Sequence, residues 1–347
     1  MKYKLLSKLE VKKVGIIKNR VVMSAMTRGF ANNDHSCNSE ILKYYEKRAK
    51  NGVGLIITEG IIVHPSGDGY NNVPHLFTKE QMMGWKKIVQ SIHQYETKIY
   101  AQLWHCGRIS HSDYTNGFDV VSSTNKQASG TNRQNNKPYG IPRALKSDEM
   151  NKIYKMFNHS ASLAMDAGFD GVEIHMGHGY LIDQFLDGNV NDRNDNYGGS
   201  IKNRIRFAVE LLDSVIKKIG YERVMVRISP SRVMGDLYEW PDTLDMLKEL
   251  LKEFNLSGLR QLDISCANSN YFETSGKVIR QIRNLWPHLL VGGASLTVEE
   301  AENEINSGYL DLVTWARAIL ANPDFVKLIE NNLPIKPFND KMRNTLI

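Results

Sequence analysis

The sequence predicts an α/β fold closed into a single parallel barrel, and three features carry the prediction. Eight short apolar runs recur along the chain, as strands buried on both faces must. Amphipathic stretches of helical periodicity separate most of them. The first run is followed by Ser24-Ala-Met-Thr-Arg, which has none of the glycines that open a doubly wound nucleotide-binding sheet.

In chain order the runs cover 20–26 (RVVMSAM), 53–59 (VGLIITE), 98–104 (KIYAQLW), 171–175 (GVEIH), 223–229 (RVMVRIS), 259–265 (LRQLDIS), 289–293 (LLVGG) and 311–315 (DLVTW). Helical periodicity falls at 80–95, 147–167, 200–219, 242–254 and 297–307. Ser147 and Thr297 read as hydroxyl caps ahead of acidic first turns, and Gly168 and Gly308 as stops. Eight strand–helix units make a (β/α)₈, or TIM, barrel with a long excursion after strand three, since 111–145 is polar and too long for an ordinary connection. That stretch is expected to form a lid or hairpin, and 331–347 reads as a polar tail. With no repeat and no linker, the whole of 1–347 reads as one domain.

Composition narrows the function classes. Hydrophobic residues make up 41% and charged residues 24%, with no apolar run long enough for a membrane span. The N-terminus lacks the apolar core of a secretory signal, so the expected address is cytoplasmic. Cys37, Cys106 and Cys266 are odd in number and far apart, against a disulfide framework or an iron–sulfur site. The net charge of +6 comes from scattered lysines, so no nucleic acid is expected as partner.

Barrel chemistry gathers at the strands' C-terminal ends. There the chain places Met26-Thr27-Arg28, Thr58-Glu59-Gly60, Gln102-Leu-Trp104-His105, His175-Met-Gly-His178-Gly-Tyr180, Arg227, Gly292-Gly293 and Trp315-Ala-Arg317. His175 and His178 could be half of a metal site, but no third ligand stands near in sequence, so no metal is expected. His175 alone could also be a hydrogen-bonded core histidine.

The runs NRVVMSAMTR, YYEKRAKNGVGLIITEG, AQLWHCGRIS, AGFDGVEIHMGHGYLIDQFL, NDRNDNYGGSIKNRIRF, VRISP and WARAILANPDFV resemble, in order and spacing, the old yellow enzyme family of FMN-dependent NAD(P)H oxidoreductases. The resemblance extends from about Asn19 to Phe325 and implies FMN at the barrel mouth, with NADH or NADPH as hydride donor. It further implies reduction of electron-poor alkenes such as enones, enals, maleimides and nitroalkenes, by hydride from flavin N5 and a proton from a tyrosine.

A flavin needs donors at its N1/O2 edge, where reduction places negative charge. Arg227 suits that edge, its alternative being an ion pair inside the barrel; Gln102 suits the pyrimidine edge, its alternative a bond to a neighbouring loop. The phosphate calls for backbone N–H groups and a cation, which Gly292, Gly293 and Arg317 can supply. The resemblance adds Ala25, Met26, Thr27 and Gly60 to the cofactor-binding set, with Thr27 tuning the flavin. This chain departs from the family in having Ala316 before Arg317, where glycine is common, and Ala25 where proline is common.

The resemblance assigns polarisation of the substrate to His175 and His178 and protonation to Tyr180. Trp104 and Tyr70 are expected to line the substrate cavity. Asn191, Arg193, Asp195, Tyr197, Gly198, Gly199, Asn203 and Arg204 fit a structural loop entering a helix. Two other readings keep the barrel: a flavin dehydrogenase or demethylase acting on an amine or ring substrate, and a flavin-binding barrel without catalysis.

Overall fold

In the computed structural model, which describes residues 3–266, 269–293 and 295–346, each of the eight apolar runs holds one strand of a closed parallel barrel. The strands are β1 (Val21–Met23), β2 (Leu55–Ile57), β3 (Lys98–Trp104), β4 (Gly171–His175), β5 (Val224–Arg227), β6 (Gln261–Ser265), β7 (Leu289–Gly293) and β8 (Leu312–Trp315). Each pairs with its neighbours in chain order, and β8 returns to β1 with Val313 opposite Val21. Closure removes the sheet edges that an open fold would have to protect.

Around the barrel lie α1 (Ser39–Lys50), α2 (Lys79–His93), α3 (Met150–Ala167), α4 (Leu181–Leu186), α5 (Ile201–Ile219), α6 (Thr243–Leu256), α7 (Ser275–Ile282), α8 (Val298–Asn306), α9 (Arg317–Ala321) and α10 (Phe325–Glu330). Among the described residues no helix is long and apolar enough to cross a membrane.

Strand side chains alternate with period two, and the two faces have separate cores. Ile99, Ala101, Leu103, Val172, Ile174, Val224, Val226, Leu262 and Ile264 face outward and pack under the helices. Val22, Leu55, Ile57, Tyr100, Met225, Val291 and Leu312 face inward. An N-terminal antiparallel hairpin, Leu9–Val11 against Gly15–Ile17, adds Val11, Val14 and Ile17 to that inner cluster and plugs the barrel floor. Each fully buried aliphatic side chain there contributes about 1.5–3 kcal/mol. Two residues further along, Gln102 follows Tyr100, Arg227 follows Met225 and Thr314 follows Leu312, and Glu173, Asp263 and Ser265 join this polar layer, all buried. The barrel is thus oily at its floor and polar beneath its mouth.

Most boundaries follow the sequence signals, with instructive exceptions. Thr297 forms its capping box with Glu300, and Gly168 ends α3 in the left-handed region at φ 92°. Ser147 is not the cap of α3. It lies in a 3₁₀ turn and donates its hydroxyl to Asp195 at 2.8 Å, while the Glu149 carboxylate takes the Lys146 N–H. The first strand stops at Met23, short of 26. After Ser24 N–H reaches Trp315 O at 3.0 Å, the backbone leaves the ladder to cross the barrel mouth.

The excursion after β3, expected as a lid or hairpin, is built from both parallel and antiparallel pairing. Its two short strands, Val121–Ser122 and Arg143–Ala144, pair in parallel, and an antiparallel bridge between Thr131 and Pro138 closes its tip. It is anchored on α4, where Ser123 Oγ donates to Gln184 O at 2.6 Å and Ser122 Oγ to Gln184 Oε1 at 2.9 Å. The described part of the C-terminal stretch folds back to the mouth. Arg28 Nη2 donates to the carbonyls of Met342, Arg343 and Thr345, the last at 2.6 Å.

Candidate active site

The strands' C-terminal ends surround a cavity that opens to solvent. Its wall comes from Ala25, Met26 and Thr27 after β1, Gln102 and Trp104 on β3, His175, His178 and Tyr180 after β4, Arg227 on β5, Gly293 on β7, and Ala316 and Arg317 after β8. The structure therefore brings most of the sequence-selected residues together.

Gly60, Gly292 and Tyr70 lie off that wall. A Cβ on Gly60 would sit 2.3 Å from the Trp104 ring, so this glycine seats the indole. A Cβ on Gly292 would sit 2.7 Å from Ile279 of α7, so that glycine serves helix packing. Gly293 does face the cavity, in a gap beside Thr314 O that would leave a Cβ 2.3 Å from that oxygen. Tyr70 stands behind the wall, its ring centroid 4.9 Å from that of Trp104 and its hydroxyl 2.8 Å from the Tyr180 hydroxyl.

Under the mouth the polar layer is internally bonded. Gln102 Nε2 donates to Glu173 Oε2 at 2.6 Å, which turns the amide carbonyl away from Glu173. Arg227 donates to Ser265 O at 3.2 Å and stands 3.8 Å from Asp263, a loose ion pair that leaves Nε without a hydrogen bond. Glu173 and Asp263 are both fully buried, and burial raises both carboxyls above their usual range, against the pull of Arg227. Neither was singled out from the sequence, although both sit at inward positions of their strands.

The β4 end is held in a strained turn. His178 adopts φ 58°, a left-handed conformation that is strained for a residue with a side chain, and Gly179 follows at φ 78°, which glycine adopts freely. Ser229 Oγ accepts the His178 N–H at 2.6 Å, and Asp183 accepts the Gly179 N–H. Asp183 is in turn gripped by Arg232 at 3.1 Å and by Trp240 Nε1 at 2.9 Å. This places the His175 ring 5.3 Å from His178 and 5.2 Å from Tyr180, centroid to centroid.

Burial, reinforced by the Arg227 guanidinium, pushes both imidazoles well below their usual range, so both are neutral at pH 7 and each carries one N–H. Burial, followed by the neighbouring Tyr70, raises the Tyr180 phenol well above its usual value, so it keeps its proton.

The donor set fits an anionic, planar, hydrogen-bonding ligand such as FMN. Among the described residues four arginines and no carboxylate line the cavity: Arg28, Arg227, Arg317 and Arg343. Arg317 is exposed, opens α9 and has no ion pair among the described residues. The preceding Ala316 has φ −104°, a conformation alanine adopts freely, so the missing glycine does not obstruct a backbone N–H there. His175 Nδ1, Trp104 Nε1 and Arg227 Nε belong to wall residues, are buried, and have no hydrogen-bond partner among the described residues. Phe338 and Arg343 from the C-terminal stretch complete the wall; a polar, aperiodic segment gave no sign of it.

A parallel barrel with an exposed guanidinium after its last strand, and neutral imidazoles and a phenol lining the same cavity, is built as a flavin-dependent oxidoreductase. Residues 4–336 match the NADH:flavin oxidoreductase / NADH oxidase family. The chain belongs to this family, that of the old yellow enzymes, and is an enzyme that uses FMN with NADH or NADPH as hydride donor.

Among its relatives, 12-oxophytodienoate reductase 1 of Oryza sativa subsp. japonica is 34% identical over 332 residues, covering 93% of this chain and 85% of the relative. The 12-oxophytodienoate reductase 7 of the same plant is 34% identical over 344 residues, with 93% and 86% covered. The structure of the old yellow enzyme homologue from Zymomonas mobilis superposes with a TM-score of 0.92 at 30% identity, over 99% of this chain and 96% of the other.

Proposed function

We propose that this enzyme reduces the C=C bond of electron-poor alkenes, among them enones, enals, maleimides and nitroalkenes. Bound FMN would supply the hydride chemistry that links nicotinamide oxidation to alkene reduction. The chain's own residues do the rest. Arg317, with backbone N–H groups near Gly293, suits the phosphate, and Arg227 and Gln102 suit the pyrimidine edge, with Thr27 beside the ring.

His175 and His178, each neutral with one N–H, polarise the oxygen of the substrate's electron-withdrawing group, where negative charge develops as hydride reaches the β-carbon. Tyr180 gives the proton from its hydroxyl to the α-carbon, which completes the addition of two hydrogens. The excluded, partly apolar setting of Trp104 suits a flat substrate.

The observation that carries this reading is the convergence of His175, His178 and Tyr180 at one point of the cavity wall. The test separates the two half-reactions by stopped flow. Tyr180→Phe is expected to slow reoxidation by cyclohex-2-enone by about a hundredfold or more, a loss typical of a missing general acid, while bleaching by NADPH continues. Equal losses in both halves would defeat the assignment. One cavity used in turn by nicotinamide and alkene also gives parallel lines in double-reciprocal kinetics; intersecting lines would require separate sites.

A further inference from the structure

Behind the cavity wall, three side chains from two distant segments meet, two of them buried and His35 partly exposed. His35 comes from the loop between β1 and α1, and Asp68 and His75 from the loop that follows β2. Asp68 is fully buried and His75 is 3% exposed. His75 Nε2 lies 2.8 Å from Asp68 Oδ2, and His35 Nδ1 lies 3.9 Å from the same oxygen. The two imidazoles stack with centroids 3.8 Å apart and planes 10° from parallel.

Metal binding does not explain the cluster. An ion must lie near the plane of each imidazole that ligates it, and two stacked parallel rings cannot both meet that condition. His35 Nδ1 is moreover 2.9 Å from Val73 O, a bond that needs its N–H.

The carboxylate is used on both sides. Asp68 Oδ2 takes His75, while Oδ1 accepts the N–H of Gly69 at 2.7 Å and of Tyr70 at 3.0 Å. The peptide that carries Tyr70 is therefore pinned from below, and Asn132 of the excursion pins it from above by donating to Gly69 O at 2.8 Å. The Tyr70 ring lies between Trp104 and the Tyr180 hydroxyl, which it meets at 2.8 Å. Burial holds His75 toward the neutral form, against the pull of Asp68, so its Nε2–H acts as a simple donor.

We propose that the Asp68–His75 pair, stacked on His35, is a positioning device: it fixes Tyr70 so that, once the Tyr180 O–H turns from Tyr70 to the substrate, the Tyr70 hydroxyl donates to Tyr180 Oη and stabilises that oxygen as Tyr180 releases its proton. His35, Asp68 and His75 touch neither substrate nor cofactor and act through Tyr70. The inference rests on Tyr180 being the proton donor, and its test separates the two ideas.

The holoenzyme variants His75→Ala, Tyr70→Phe and the double variant are compared by stopped flow, with cyclohex-2-enone as oxidant and NADPH as reductant. His75→Ala is expected to slow the alkene step about tenfold, the worth of one hydrogen bond to a developing charge, and to leave bleaching by NADPH unchanged. If His75 works through Tyr70, the double variant is no slower than Tyr70→Phe. His75→Gln, which keeps an N–H donor for Asp68, restores the step. Where His75→Ala fails to fold, Asp68→Asn carries the same comparison, since its carbonyl still accepts from Gly69 and Tyr70. Hydrogen exchange gives a readout apart from turnover: His75→Ala speeds exchange at the amides of Gly69 and Tyr70.

Additive losses in the double variant, or equal slowing of both half-reactions, overturn the positioning role. So does failure of His75→Gln to recover. If Tyr180→Phe itself reduces alkenes at the wild-type rate, the proton-donor reading beneath has failed; if only Tyr180→Phe is slow, the positioning role alone has failed.

Discussion

Replacing Arg227 by methionine tests whether its guanidinium is held for the cofactor or for the fold. The side chain is 6% exposed and stands 3.8 Å from the fully buried carboxylate of Asp263. At that separation two unit charges attract by about 4 kcal/mol for an effective dielectric near 20. Deleting one member of a buried pair costs about 3–5 kcal/mol, because the other charge stays behind. Asp263 has one route of escape: burial already raises its carboxyl, and without Arg227 it rises further and takes up a proton. A carboxyl raised in the folded state stabilises at low pH and loses that contribution as pH climbs past its folded pKa. The deficit of Arg227→Met is therefore smaller at pH 5.5 than at pH 8. Adding Asp263→Asn removes the stranded charge and recovers most of the loss. FMN affinity behaves differently, for both variants lack the guanidinium and both bind the cofactor weakly. Urea unfolding of the FMN-free chain at both pH values, with m compared between variants, gives the stability; fluorescence titration with FMN gives the affinity. Equal stability of wild type and Arg227→Met would show that Asp263 gains nothing from the pair. A double variant no more stable than the single would show that Asp263 is not the group left uncompensated.

Two other perturbations have outcomes set by the same physics. Glu59 is buried beneath the β1 end, accepting the N–H groups of Arg28 and Gly29, and burial raises its carboxyl to about 7. Its stabilising contribution is complete below the ordinary carboxyl pKa and falls by about 3 kcal/mol as pH rises through 7, so Glu59→Gln gains on the wild type in melting temperature between pH 5 and pH 8; a constant difference would contradict this. Arg317→Ala removes the exposed guanidinium after β8, and FMN binding weakens by about 10- to 100-fold, the worth of a charge-assisted pair. Retention of full yellow colour through desalting would place the phosphate elsewhere.

The barrel was legible because strands buried on both faces must be apolar throughout, and that requirement prints eight runs with little to imitate them. Boundaries were less legible where tertiary bonds compete. Ser147 has the chemistry of a cap, yet Asp195, fixed by Arg193, offers its hydroxyl a charged acceptor. Met26 continues an apolar run, yet the chain has to leave the ladder at Ser24 to form the mouth. Within the site, His175, His178 and Tyr180 were visible as an unusual set at one strand end. Phe338 and Arg343 were not, since what brings them to the cavity is Arg28 holding backbone carbonyls, and a carbonyl leaves no trace in residue identity. His35 was hidden for a related reason: its partners lie more than thirty residues away, in a loop with no periodicity.

The polar layer inside the barrel joins these two lessons. On β3 the inward positions run Tyr100, Gln102, Trp104, and on β6 they run Gln261, Asp263, Ser265. Read as whole runs, these strands look like uninterrupted core with a few polar residues; read every second residue, they show where the oily floor ends. Apolar residues at those heights would fill the barrel to its mouth and leave no donor beneath a bound ring, whereas isolated charges there would be too costly to bury. Gln102 with Glu173, and Arg227 with Asp263, meet both limits by satisfying one another in part. On the proposed reading the incompleteness serves the cofactor: an arginine paired at 3.8 Å with one nitrogen unbonded retains attraction for a second anionic partner.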